Sequence, residues 1–178
     1  MLLNNFGLKF DVIPANIVEY IPQKISIFGN FVEDLAQQKA QFIADKYKGI
    51  IIGADTIVVL DKQVMVKPES EAEASKMIKK LSGRSHKVYT GLAIIDSAKK
   101  RIYKTHEVTS VTFRKLQKEE IKFYVNSGSP MDKAGAYGIQ DDFGSTFVEK
   151  IDGDYFNVVG LPVVKTYLGL KKLLGISL

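Results

Sequence analysis

The chain reads as a mixed-sheet α/β fold. Three observations predict it. An amphipathic helical stretch, FVEDLAQQKAQFIADKYKG, leads directly into GIIIGADTIVVLD, which is dense in Ile and Val. Two long β-rich runs, KVYTGLAIID and RIYKTHEVTSVTF, follow one another with a short polar break between them. Helical patterns then interleave with further short strands up to the C-terminus. Alternation of the helical and strand periods is what helices packed on a sheet require. The length of 178 residues suggests one domain or two tightly joined lobes.

The elements follow in order. Phe10 to Ile13 reads as a short strand stopped by Pro14. Asn30 and Glu33 have capping-box spacing, which predicts a helix start there. Phe31, Leu35, Phe42 and Ile43 share its apolar face, and Gly49 is its expected stop. The next run is a buried strand that bends at Gly53, and Asp61-Lys62 turns it into a second strand, QVMVK. Ser70 and Glu73 cap a helix that runs through Leu81, with Gly83 as terminator. The two long strands meet near Asp96 to Lys100. Gln117 to Val125 is a short helix, and Asn126 to Pro130 a loop. STFVEKI and YFNVVG read as strands around the Asp152-Gly153 turn, and Pro162 opens a final helix to about Leu174.

Composition narrows the function classes. No apolar run approaches the roughly 20 residues of a membrane-spanning helix. The N-terminus, MLLNNFGLKF, has no basic start or long apolar stretch, so no secretory signal is read and a cytoplasmic protein is expected. Without cysteine, disulfides and thiolate metal sites are excluded. The net charge of +5 is spread along the chain in short lysine pairs. No long basic tract marks a nucleic-acid surface, so neither nucleic acid nor membrane is an expected partner.

Several residues are candidates for chemistry. Asp55, in GADT, reads as a carboxylate at the end of an apolar strand that can project into a cleft, hold a divalent metal or activate water; a hydrogen-bonded turn aspartate is the equal alternative. Lys67, fixed before Pro68, can neutralise phosphate oxygens, although a solvated lysine is the better reading from the residues alone, and Lys39 in QQKA is a helix-surface cation. Arg84 in SGRSH can meet an anion or simply follow a helix end. His86 and His106 show no ligand pattern. The run MDKAGAYGIQ is the most distinctive. Its small residues permit close backbone approach to a ligand, while Lys133 offers charge, Tyr137 an aromatic face and Gln140 an amide for a base edge. Its glycine spacing is neither that of a phosphate-cradling Walker loop nor that of a dinucleotide fingerprint.

Taken together, GADTIVVLD, Lys67-Pro68, KKLSGRSHKVYTG, MDKAGAYGIQ and IDGDYFNVVGLP resemble, in order and spacing, the Maf family of nucleoside triphosphate pyrophosphatases. The likeness extends to FDVIPANIVE near the start. The resemblance implies a two-lobed, Maf/ITPase-like α/β fold with a central cleft. It implies metal-dependent hydrolysis of a nucleoside triphosphate to the monophosphate and pyrophosphate, with Mg²⁺ or Mn²⁺ as the divalent cation. DKAGAYGIQ looks like the branch acting on dTTP and UTP. By the same resemblance, Asp55 is the general base or a metal-linked carboxylate, and Glu19 joins it at the metal. Lys39 and Lys67 hold phosphate, Thr56 helps set substrate choice, and Gln140 recognises the base. A homodimer is compatible with the family. The alternative is a catalytically impaired nucleotide-binding or regulatory protein linked to cell-division arrest.

Two departures stand out. The family pattern opens with an apolar strand and a segment like SxSPRR, followed by a helix ending near a Leu pair and a glycine. Leu2-Leu3 and Gly7 match the end of that helix, so a preceding segment with an arginine pair is expected. Either the natural protein is longer, which the cost of deleting a core strand favours, or this is a shortened form with weak or no catalysis. The second departure is Asp141-Asp142, where glycine often follows the glutamine; the pair would repel triphosphate or help bind metal.

Overall fold

A computed structural model describes residues 2–7, 9–22, 25–140 and 143–175. The fold is mixed α/β. Five strands form one sheet in the order β2-β1-β3-β4-β5: β1 (Ile50–Leu60), β2 (Gln63–Met65), β3 (Ser85–Asp96), β4 (Arg101–Phe113) and β5 (Val148–Asp152). The helices are α1 (Phe28–Ala44), α2 (Glu71–Leu81), α3 (Lys118–Asn126), α4 (Tyr155–Val159) and α5 (Val163–Leu174). β1 pairs antiparallel with β2, and β4 with β5. Two compact units divide the chain. The first holds Met1–Asp55, Thr90–Glu107 and Gly160–Leu178, and the second Thr56–Tyr89 and Val108–Val159.

In the first unit, strand parity sets the layers. Ala93 and Ile95 of β3 pack with Ala36, Ala40 and Ala44 of α1. The alternate residues Leu92 and Ile94 pack with Leu170 and Leu173 of α5. Successive strand residues point to opposite faces, so the two helices cover opposite sides. The buried face of α1 runs through Val32, Leu35, Ala36, Ala40 and Ile43. Phe31 and Phe42, expected on that face, are only half-buried. The small alanines let the helix backbone come close. At Gly53 a Cβ would stand 2.5 Å from the Ala36 carbonyl oxygen, and at Gly91 it would overlap the Val32 carbonyl. Gly53 therefore does not bend β1, which runs through it unbroken; it makes room for α1.

In the second unit, α2 and α3 close over an apolar core that includes Val58, Leu81, Val111, Phe113 and Tyr124. Phe113, Tyr137 and Phe147 meet edge to face, with ring centroids 4.7 Å apart for the first two and 5.9 Å for Phe113 and Phe147. The β1–β2 turn places Asp61 and Lys62 at φ 51° and 63°, as a tight hairpin with two left-handed residues demands. Ser70 caps α2 by accepting the Glu73 N–H, while the Glu73 carboxylate reaches Glu69 N–H rather than that of Ser70. At α3, Gln117 and Glu120 form a full capping box.

Four expectations are corrected. Residues 9–22 take no helix or strand, so Phe10 to Ile13 is not a strand. α1 starts at Phe28 without a side-chain cap, and Glu33 instead binds His106 Nδ1 at 2.6 Å. It also ends at Ala44, well before Gly49, which begins the approach to β1. YFNVV is a helix, not a strand. Asp154 Oδ1 accepts the Phe156 N–H at 2.8 Å and starts the turn. The buried Asn157 amide then donates to Val88 O and Thr109 Oγ1, contacts that override the strand propensity of the run.

Candidate active site

The parity of β1 places the candidate carboxylate. Ile51 packs with the α1 alanines, and Gly53 faces Ala36 and Ala40. Asp55 is next on that same face. On α1, Lys39 lies three residues after Ala36 and beside Ala40, so it rides at the edge of the stripe that touches β1. Glu19 comes from the irregular segment that precedes α1.

The three side chains converge. Lys39 Nζ donates to Asp55 Oδ1 and lies 2.8 Å from Glu19 Oε1. Side-chain exposure is 8% for Asp55, 24% for Lys39 and 37% for Glu19, so the pair with Asp55 is the sheltered one. Burial pulls the Lys39 ammonium toward neutrality. Hydrogen bonds and charge from Asp55 and Glu19 outweigh it, and the pKa is raised above the ordinary lysine value. The lysine is therefore charged at neutral pH and holds two carboxylates that would otherwise repel.

The donors suit a hard divalent cation. Two carboxylate oxygens already converge on one positive nitrogen. Among the described residues no group of three or more His, Asp or Glu side chains gathers into a protein-only metal site. Mg²⁺ is commonly held by one or two carboxylates, with waters and substrate phosphates completing its shell. Asp55 and Glu19 are the residues that would hold it.

The remaining candidates lie in the second unit. Thr56 follows Asp55 on β1 and is half-buried. Lys67 is exposed just after β2, on the buried Pro68. The Lys133 ammonium holds the Asp132 carboxyl below its ordinary range, against burial, with the charge of Lys67 as the smallest contribution. Lys133 Nζ donates to Ser129 O and Asp132 Oδ1, both at 2.7 Å. Arg84 binds both oxygens of Asp61 at 2.7 and 2.8 Å, so it fastens the β1–β2 turn. Gln140 is exposed at the end of its run. Tyr137 offers no ligand-facing ring: it is 6% exposed, and its hydroxyl meets His86 Nε2 at 2.8 Å. Local spacing could not reveal that partnership, because the two residues are 51 positions apart. Asp141 and Asp142 lie outside the described residues.

In this α/β fold Lys39 bridges Glu19 and an aspartate midway along a helix-covered strand, a grouping of side chains suited to a cation and an anion. The sequence comparisons are more specific. Residues 1–173 match the family model described as Maf-like protein, and the chain belongs to the Maf family. A relative from Desulforamulus reducens is 46% identical over 165 residues, covering 92% of this chain and 85% of the relative. One from Caldicellulosiruptor bescii is 43% identical over 177 residues, covering 97% and 88%. One from Aquifex aeolicus is 44% identical over 174 residues, with the same shares covered. Each of the three is named a dTTP/UTP pyrophosphatase. No helix among the described residues is long and apolar enough to cross a membrane.

Proposed function

We propose that this chain hydrolyses dTTP and UTP to the monophosphate and pyrophosphate, with a divalent cation, in the cytoplasm. The observation that carries the reading is the meeting of Glu19, Lys39 and Asp55 in a chain whose Maf relatives bear that activity in their names. Water adds across the α–β phosphoanhydride bond; one proton leaves the water, and pyrophosphate departs with the bridging oxygen. Asp55 accepts that proton as general base. Lys39 holds Asp55 in place before substrate arrives, and its ammonium can then turn to phosphate oxygens. A bound Mg²⁺ or Mn²⁺ would neutralise phosphate charge and make water more acidic. Lys67 supplies a further phosphate contact, Thr56 contributes to substrate choice, and Gln140 reads the base edge.

The test is pyrophosphate release from dTTP, UTP, CTP and GTP with Mg²⁺ or Mn²⁺, by the chain and by Asp55→Asn. Selective turnover of dTTP and UTP is expected, falling on the order of 10²–10⁴-fold in the variant. Equal turnover of all four nucleotides would remove the substrate reading. Undiminished activity in Asp55→Asn would remove the role of Asp55, and a folded chain with no turnover would remove the enzymatic reading for residues 1–178 taken alone.

A further inference from the structure

The segment from Lys133 to Gln140 is held far more firmly than a connection needs. Ala136 is fully buried with φ 60°, a left-handed conformation that costs a non-glycine residue energy. At Gly135, φ is 71°, and a Cβ there would press on the Val58 side chain at 3.0 Å. The Gly135 N–H donates to Val66 O at 3.3 Å, directly before Lys67. The Gly138 N–H donates to the buried Tyr124 hydroxyl at 3.1 Å. Between them the Tyr137 hydroxyl meets His86 Nε2. His86 is 2% exposed, and its Nδ1 has no hydrogen-bond partner among the described residues. The next residues alternate: Ile139 is buried and Gln140 is exposed. A strained, buried stem therefore presents an exposed amide.

We propose that His86 and Tyr124 are positioning residues for substrate choice, clamping the stem so that Gln140 meets the nucleobase in one fixed pose. The inference rests on the nucleotide reading above. Binding sites discriminate well only when their polar groups are held to within a fraction of an ångström by supporting contacts. Three tethers from β3, α3 and the end of β2 supply that support. Burial lowers the His86 pKa to about 4 and raises that of the Tyr137 phenol, so their bond joins two neutral groups at neutral pH.

Tyr137→Phe and Tyr124→Phe each remove one hydroxyl with little change of shape. His86→Leu removes the nitrogen, while His86→Gln keeps a polar group near the position of Nε2. Each variant is assayed for KM and kcat with dTTP, UTP and CTP, beside its Tm. The phenylalanine and leucine variants are expected to raise KM for dTTP and UTP roughly 3- to 10-fold, the worth of one hydrogen bond. Selectivity over CTP narrows, kcat changes by less than about twofold, and His86→Gln recovers much of the loss. In a Gln140→Ala background the same changes should have no further effect on selectivity. Unchanged KM and selectivity in folded variants, with only Tm lowered, would overturn the inference, as would a fall in kcat at constant KM. If the parent chain releases no pyrophosphate from any nucleotide, it is the function that fails. Amide exchange at Gly135 and Gly138 then decides the clamp: faster exchange in Tyr124→Phe and His86→Leu upholds it, and unchanged exchange overturns it.

Discussion

Replacing Lys39 with Met should expose how much the site depends on a cation. Methionine keeps the apolar stem and removes only the charge. Glu19 is 37% exposed, so its arm of the pair contributes at most about 0.5 kcal/mol. Asp55 is 8% exposed, and removing the partner of a buried charge costs about 3–5 kcal/mol. Lys39 is itself 24% exposed and Asp55 keeps further interactions, so the low end of that range applies. The expected loss is about 3 kcal/mol, a large share of a typical 5–15 kcal/mol stability. Urea denaturation in EDTA measures it by linear extrapolation. Repeating the titration in MgCl₂ supplies a replacement cation that binds only the folded pair of carboxylates. Part of the loss should then return, by more than wild type gains. A loss below about 1 kcal/mol in EDTA would show that water already screens the pair. Equal effects of Mg²⁺ on variant and wild type would show that Asp55 and Glu19 do not hold a divalent ion.

Two further outcomes follow from buried groups. His86 has its folded pKa lowered by burial to about 4, below the ordinary imidazole value of 6.5, so the unfolded chain takes up the proton first as pH falls. Stability should therefore drop by about 3 kcal/mol between pH 6.5 and about 4, a slope that His86→Gln abolishes in denaturation curves run across that window. Gly53→Ala places a methyl group 2.5 Å from Ala36 O and 2.9 Å from Ala40 Cβ. It should cost about 1–3 kcal/mol by denaturation and weaken dTTP turnover as well, because the helix that must yield carries Lys39.

The sequence made the elements legible where one period dominated. The β3–β4 hairpin and α2 stand where the Val- and Ile-rich runs and the Ser70 cap indicate. It misled where tertiary contacts outweighed local preference. YFNVV has strand composition, but Asn157 finds two buried acceptors only when the run is helical. α1 has two visible phenylalanines, yet the stripe that packs on β3 is Ala36, Ala40 and Ala44, because closeness to a strand rather than bulk decides that packing. Asp55 was readable as a carboxylate on an apolar strand, but it lies midway along β1 rather than at the strand's end. Lys39 and Glu19 gave no local sign and were identified only through resemblance. Their meeting depends on a helix and a loop folding back on β1.

That meeting has a compact physical origin. A lysine can neutralise a sheltered aspartate only if its helix lies close enough for the ammonium to reach. Larger residues at positions 36, 40, 53 and 91 would hold α1 off the sheet. Ala36, Ala40, Gly53 and Gly91 remove that spacing, and the contacts at both glycines are with α1, its Ala36 and Val32 carbonyls included. β1 parity then turns Ile51, Gly53 and Asp55 toward the same helix, so one residue supplies packing, the next closeness and the third charge. The glycines thus belong to the chemistry of Asp55 as much as to the core. A search for charged residues alone would miss them, because their contribution is the absence of a side chain.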